Sequence, residues 1–316
     1  MFVRDPTRAL AIGAAAATGV QVGAAMVATR FVVHDAGPAT LAVLRYAIGF
    51  LCLLPACLLA PRPGFAARDL GPIALLGIGQ FGILVALLNF GLRTVPSGQG
   101  ALIFATFPLM TLLIAAAIGQ ERLTAAKAAG VLLTIAGVGL ALGVRMGGGT
   151  WLGEAAVAAS ALTGAVCSVL YRPYLRRYSP VAVSALAMLA SVIFLAGLAG
   201  ATEGLFDAPP HFSPAGWAAV AFIGTGSGAG YFLWLTALRH APATEVTIFL
   251  ALSPLTAMGL GAIWLGEAMS ALAVAGLGAV ALGLWLATRD GGALGSRPRG
   301  VTSCPAAAPS DRCRSP

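Results

Sequence analysis

Arg45, in LAVLRYAIGF at 41–50, and Glu245, in ATEVTIFLAL at 243–252, are ionisable residues set in apolar sequence. A guanidinium in such surroundings can hold a carboxylate, and a carboxyl group there can take up and release a proton. Either is expensive inside a membrane unless it faces a cavity or a partner. On a helix, Glu245 shares a face with Phe249, Leu252 and Thr256. Uncharged polar residues recur nearby at helical spacing: Thr18 with Gln21, Ser160 with Thr163, and Ser227 with Tyr231 and Trp234. Asn89 and Gln99 add two amides. Amides, hydroxyls, an indole and one charge of each sign suit binding of a small polar or zwitterionic solute. The expected substrate-binding residues are Gln21, Asn89, Gln99, Thr163, Tyr231, Trp234 and Glu245. The plainer reading of each polar residue is glue between membrane helices. For Arg45 it is a side chain snorkelling to the outer interface, and for Glu245 a shallow carboxylate paired with Arg239.

The elements that must position these residues are membrane helices. Of 316 residues, 59% are hydrophobic and only 9% charged, with a mean hydropathy of +0.90. A soluble chain of this size carries far more charge. About 20 apolar residues cross the ~30 Å bilayer core. Ten such runs are expected at 9–29, 40–60, 71–92, 97–118, 124–144, 152–172, 180–200, 214–237, 243–264 and 270–288. Arg4 and Arg8 before the first run resemble a signal peptide, but the run is too long and Arg30 follows it, so it reads as a retained span. Residues 289–316, rich in Gly, Pro, Ser and Arg, cannot bury a core and read as a disordered tail. With a cytoplasmic N-terminus, fifteen Lys and Arg fall inside and only Arg30, Arg93 and Arg145 outside, so both termini are expected in the cytoplasm.

Composition and motifs exclude other classes. The net charge of +8 comes from arginines at helix ends, with no basic face for nucleic acid. Cys52, Cys57 and Cys167 fall in apolar runs and Cys304 and Cys313 in the tail, which is neither a disulfide framework nor a zinc pattern. GTGSGAG at 224–230 has no preceding strand and reads as a close-packing stripe rather than a phosphate loop. No HExxH, paired-aspartate or nucleophile-elbow motif is present, and no cofactor is expected.

The chain repeats itself. TFPLMTLLIAAAIGQERLT at 106–124 aligns without a gap on LSPLTAMGLGAIWLGEAMS at 252–270. At an offset of 146, Pro108 meets Pro254, Glu121 meets Glu267, Gly130 meets Gly276 and Gly137 meets Gly283. Upstream the offset is 142, where Arg30 meets Arg172, Pro38 meets Pro180, and Arg45 meets Ala187. Two halves of five spans each must run through the membrane in opposite senses. The boundaries read as 1–146 and 147–288. Inverted repeats are the physical basis of alternating access, with substrate bound near the midplane between the halves.

These residues, LAVLRYAIGF at 41–50, the 106–140 segment and its counterpart at 252–284, resemble the drug/metabolite transporter superfamily, in its EamA-type ten-helix branch. The resemblance covers about residues 9–288. It implies an inner-membrane carrier, usually an exporter of amino acids, related metabolites or toxic compounds. Arg45 resembles an arginine common in the family's second helix, but its mate Ala187 is uncharged, so substrate identity does not transfer with the family.

Five residues read as gating or structural. Pro108 and Pro254 lie about ten residues into spans four and nine, where a missing N–H kinks a helix. Glu121 and Glu267 end those spans, three residues before Thr124 or Ser270, and form either an interfacial turn or a gate that pairs with a cation. Arg45 is a counter-ion for a substrate carboxylate, or for Asp35 or Glu267. The expected function is secondary transport of a small molecule, driven by a proton or substrate gradient. An intramembrane enzyme on lipid or prenyl substrates is the alternative. It would need clustered acids or histidines, and His34, His211 and His240 lie in separate loops. Oligomeric state is not encoded in any motif.

Overall fold

A computed structural model of the chain describes residues 6–59, 64–120, 124–143, 150–207, 210–241, 243–266 and 271–289. The described residues are helical and contain no strand. They make ten passes. These are α1 (Pro6–Val32), α2 (Pro38–Leu59), α3 (Ala67–Leu92), α4 (Ser97–Ala117), α5 (Ala125–Gly143), α6 (Trp151–Leu175), α7 (Pro180–Glu203), α8 (Pro214–His240), α9 (Ala243–Ile248, Phe249–Ala251 and Leu252–Leu265) and α10 (Ala271–Arg289). Seven of them, α1–α4 and α6–α8, are long and apolar enough over the described residues to cross a bilayer. From residue 290 the expected tail lies outside the described residues.

Local chemistry sets the ends. Thr150, Ser179 and Ser213 each accept a hydrogen bond from the N–H three residues on, at 3.1–3.2 Å, and so cap α6, α7 and α8. Pro180 and Pro214 stand at the starts of α7 and α8, where a missing N–H costs little. Gly119 and Gly266, with φ of 71° and 64°, follow the ends of α4 and α9 in the left-handed region.

Two helices are broken at equivalent places. In α4, the helix Ser97–Phe104 stops and Phe107–Ala117 begins. Pro108 cannot donate to the Phe104 carbonyl, and the Thr106 hydroxyl turns back onto the Ile103 carbonyl at 2.7 Å. In α9, a 3₁₀ turn at Phe249–Ala251 precedes Leu252–Leu265, which carries Pro254. A third irregularity is a π-turn at Ile78–Ile83 within α3.

The packing obeys a two-fold exchange. Helix α1 packs on α8 and α9, and its mate α6 packs on α3 and α4. Helix α2 packs on α8, and its mate α7 on α3. The pairs α2–α7 and α5–α10 join mates directly. Glycines fix the exchange at atomic level: a Cβ on Gly137 would come within 2.7 Å of the Gly276 carbonyl oxygen, and one on Gly283 within 2.6 Å of that of Gly130. Position i of one half thus meets position j of the other, and j meets i. The protein is therefore a multi-pass membrane protein of two inverted five-helix repeats.

Burial is arranged for lipid. Leu58, Leu59, Leu75 and Ile263 are each about 70–90% exposed, while Arg45, Gln80, Asn89 and Gln99 are all at most 6% exposed. Apolar side chains outside and amides inside is the order a bilayer imposes, since hydrocarbon offers polar groups no partners.

Candidate functional site

A cavity of about 50 Å³ lies between the halves, away from the ends of the helices that form it. Its lining comes from α1 (Thr18, Gln21, Val22), α2 (Arg45), α3 (Gln80, Leu84, Val85, Leu88), α4 (Phe104, Phe107), α8 (Gly230, Tyr231, Trp234) and α9 (Leu250). Both helix breaks and the π-turn reach this space. Phe104 and Phe107 flank the interruption of α4, Leu250 lies in the 3₁₀ turn of α9, and Gln80 lies in the π-turn. Discontinuous helices at the midplane are where membrane carriers build their sites, because irregular backbone is tolerated only where it lines a cavity.

Arg45 is the one charged group among the described lining residues. It is 6% exposed and so does not reach the interface. Its Nε donates to the Ser227 Oγ at 2.6 Å, and the Ser227 hydroxyl donates in turn to the Ile223 carbonyl at 2.6 Å. That leaves the serine lone pairs facing the guanidinium. The Arg45 Cζ also lies 5.6 Å from the centre of the Tyr46 ring, a favourable cation–π distance. Arg45 has no ion pair among the described residues.

An aromatic cluster closes the wall beside it. The Phe81 and Tyr231 ring centres are 3.9 Å apart, Tyr46 and Phe81 5.3 Å, and Tyr46 and Tyr231 5.9 Å. The Tyr46 hydroxyl donates to that of Tyr231 at 3.4 Å, which donates to the Gln80 carbonyl at 3.5 Å. Also in the lining, the Trp234 and Phe107 rings meet edge-on at 6.1 Å.

Three polar atoms of the lining are buried without a partner: Gln21 Nε2, Gln80 Oε1 and Trp234 Nε1. Buried polar atoms are nearly always satisfied, so three unpartnered ones on a single cavity point to a ligand or water. Room for Gln21 comes from the glycine stripe of α8: a Cβ on Gly230 would come 2.9 Å from Gln21 Oε1. On the other edge of that stripe, Gly228 lets Gly49 of α2 approach.

Of the residues singled out from sequence, Thr18, Gln21, Arg45, Tyr231 and Trp234 meet in this cavity. The others are placed elsewhere or not described. Asn89 Nδ2 donates to the Pro38 carbonyl at 2.9 Å and ties α3 to the start of α2. Gln99 Nε2 donates to Glu154 at 2.8 Å and joins α4 to α6. The Thr163 hydroxyl turns back onto the Ala159 carbonyl at 2.8 Å. Pro108 and Pro254 stand beside the helix breaks. The backbone of Glu245 lies in Ala243–Ile248, but its side chain is outside the described set, as are Glu121 and Glu267 altogether. Sequence reasoning does not single out Gln80, Phe104 or Phe107. The signals that point to them are an amide in GIGQFGI and two phenylalanines just ahead of Pro108. Among the described residues, no three of His, Cys, Asp and Glu come together.

The sequence profile of the EamA-like transporter family matches residues 9–143 and again 151–289. A probable terminal-alkyne amino-acid exporter of Streptantibioticus cattleyicolor is 31% identical over 261 residues, covering 81% of this chain and 86% of its own. An aromatic amino acid exporter of Ancylobacter novellus is 30% identical over 174 residues, covering 53% and 58%. A solved structure at 22% identity superimposes with a TM-score of 0.68 over 90% of this chain and 97% of its own, a likeness of fold.

Proposed function

Because the chain belongs to the EamA-like transporter family, we propose that it exports an amino acid or related small metabolite across the cytoplasmic membrane by alternating access. The moving units in this reading are the repeats 1–146 and 147–288. The observation that carries it is the cavity between the two-fold-related helices, with a buried guanidinium that has no ion pair and three polar atoms that have no partner among the described residues. A two-fold axis in the membrane plane lets the halves exchange conformations, so that one site faces each side in turn. The breaks in α4 and α9 at the cavity supply matched hinges. Export as the direction draws on the two exporters similar to this chain. The arginine and lysine bias supports a cytoplasmic position for both termini.

The test is to express the protein in a permissive bacterium and profile the medium for released metabolites. Export predicts that one compound or compound class accumulates outside with the protein and not with a vector control. No change in the medium, together with faster uptake of amino acids, would reverse the direction. Glu245, near the start of α9, is proposed as a proton-coupling group. Glu245→Gln should flatten the pH dependence of transport in everted vesicles. An unchanged pH profile would remove it from the mechanism.

A further inference from the structure

We infer that the cavity recognises its substrate by a carboxylate, with Arg45 as the receptor, and that the accepted class is apolar amino acids rather than amines. This rests on the transport reading of the same cavity and goes on to say which group is read, by which residue, and in which orientation.

Arg45 is buried, yet among the described residues only neutral groups contact it: the Ser227 hydroxyl at 2.6 Å and the Tyr46 ring at 5.6 Å. A guanidinium presents five N–H donors in a planar fork. Nε is taken by Ser227, and the terminal nitrogens have no partner among the described residues. That edge matches the two oxygens of a carboxylate in a bidentate pair. A substrate that brings its own anion completes the site, whereas a cationic amine would place a second positive charge beside the first.

Gln21 Nε2 and Trp234 Nε1 are unpartnered donors, and Gln80 Oε1 is an unpartnered acceptor. Donors outnumber the acceptor, and the acceptor is neutral. The site therefore reads an anionic head first and an amino group second, through Gln80.

The repeat places Ala187, fully buried, at the position equivalent to Arg45. Only one of the two equivalent walls is charged, so the substrate has one orientation. Its carboxylate lies toward α2 and α8, and its apolar body lies among Phe104, Phe107, Leu88 and Leu250.

Thermal unfolding of the purified full-length protein in nanodiscs tests this with three probes of one shape: L-phenylalanine, L-phenylalaninamide and phenethylamine. L-Phenylalanine should raise the unfolding midpoint, and the amide and amine should not. Arg45→Gln should abolish the shift. Arg45→Lys keeps the charge and loses the fork, and should weaken the apparent affinity by about tenfold or more, the scale of one lost charge-assisted hydrogen bond. Arg45→Lys also carries the test if Arg45→Gln fails to fold. A shift with phenethylamine or the amide equal to that with L-phenylalanine overturns the proposal. So does an unchanged L-phenylalanine response in Arg45→Lys. If no probe shifts the wild type, the apolar-carboxylate class is wrong, while the export reading is decided separately by the medium profile.

Discussion

The α2–α8 wall and the α7–α3 wall are the same structural element written twice. Gly49 lies against Gly228 in the first, and the Ser191 hydroxyl donates to the Gly77 carbonyl at 2.7 Å in the second. The side chains part company. The first wall holds Arg45, Tyr46, Ser227 and Tyr231; the repeat puts Ala187, Met188, Phe81 and Val85 at the equivalent positions, each buried. The pairing of helices has kept the two-fold symmetry, while the register of close contacts and the chemistry have not. A carrier whose halves exchange conformations needs interchangeable packing surfaces, while recognising a substrate with two unlike ends needs one-sided polarity.

The largest effect should come from charging the apolar wall. Ala187 is completely buried against Gly77, and Ala187→Arg adds bulk and a cation with no serine opposite. Burying an unpaired charge costs several kcal/mol, so the variant should fail to accumulate as a monodisperse protein in fluorescence-detected size exclusion. Normal accumulation would mean that the two walls are more alike than their side chains indicate.

A smaller, matched effect is expected where symmetry is kept. Gly137→Val and Gly283→Val each force a side chain onto a backbone carbonyl of the opposing helix, at Gly276 and Gly130. Each should destabilise by about 1–3 kcal/mol, the usual cost of overpacking, and lower the unfolding midpoint by similar amounts. Strongly unequal shifts would break the two-fold account of α5 against α10. The smallest effect belongs to Tyr231→Phe. It removes hydrogen bonds of 3.4 and 3.5 Å and keeps the ring on Phe81. A stability loss of at most about 1 kcal/mol is expected. A larger one would make the hydroxyl chain, rather than ring packing, the tie between α2, α3 and α8.

Much of this architecture is legible in the amino-acid sequence. An apolar chain with most of its charges in the gaps has no soluble fold open to it, and ten runs with a repeated proline–glutamate pattern require two opposed halves. Pro108 marks the break in α4 because the missing N–H is a covalent property of the residue. Arg45, Gln21, Tyr231 and Trp234 stand out because polar groups in hydrocarbon need a reason.

Only tertiary structure decided which of those reasons applies. Helical periodicity says which residues share a face of their own helix, not what the neighbouring helix offers that face. Asn89 and Gln99 resemble Gln21 in sequence, yet a carbonyl at Pro38 and a carboxylate at Glu154 already hold one donor of each. Gln80 is incidental until the π-turn brings it to the cavity with its oxygen unpartnered. Arg45 meets Ser227 across 182 residues of chain. The membrane character and the repeat follow from local apolarity and covalent spacing, whereas the site follows from which polar atoms distant helices leave unpaired once they pack.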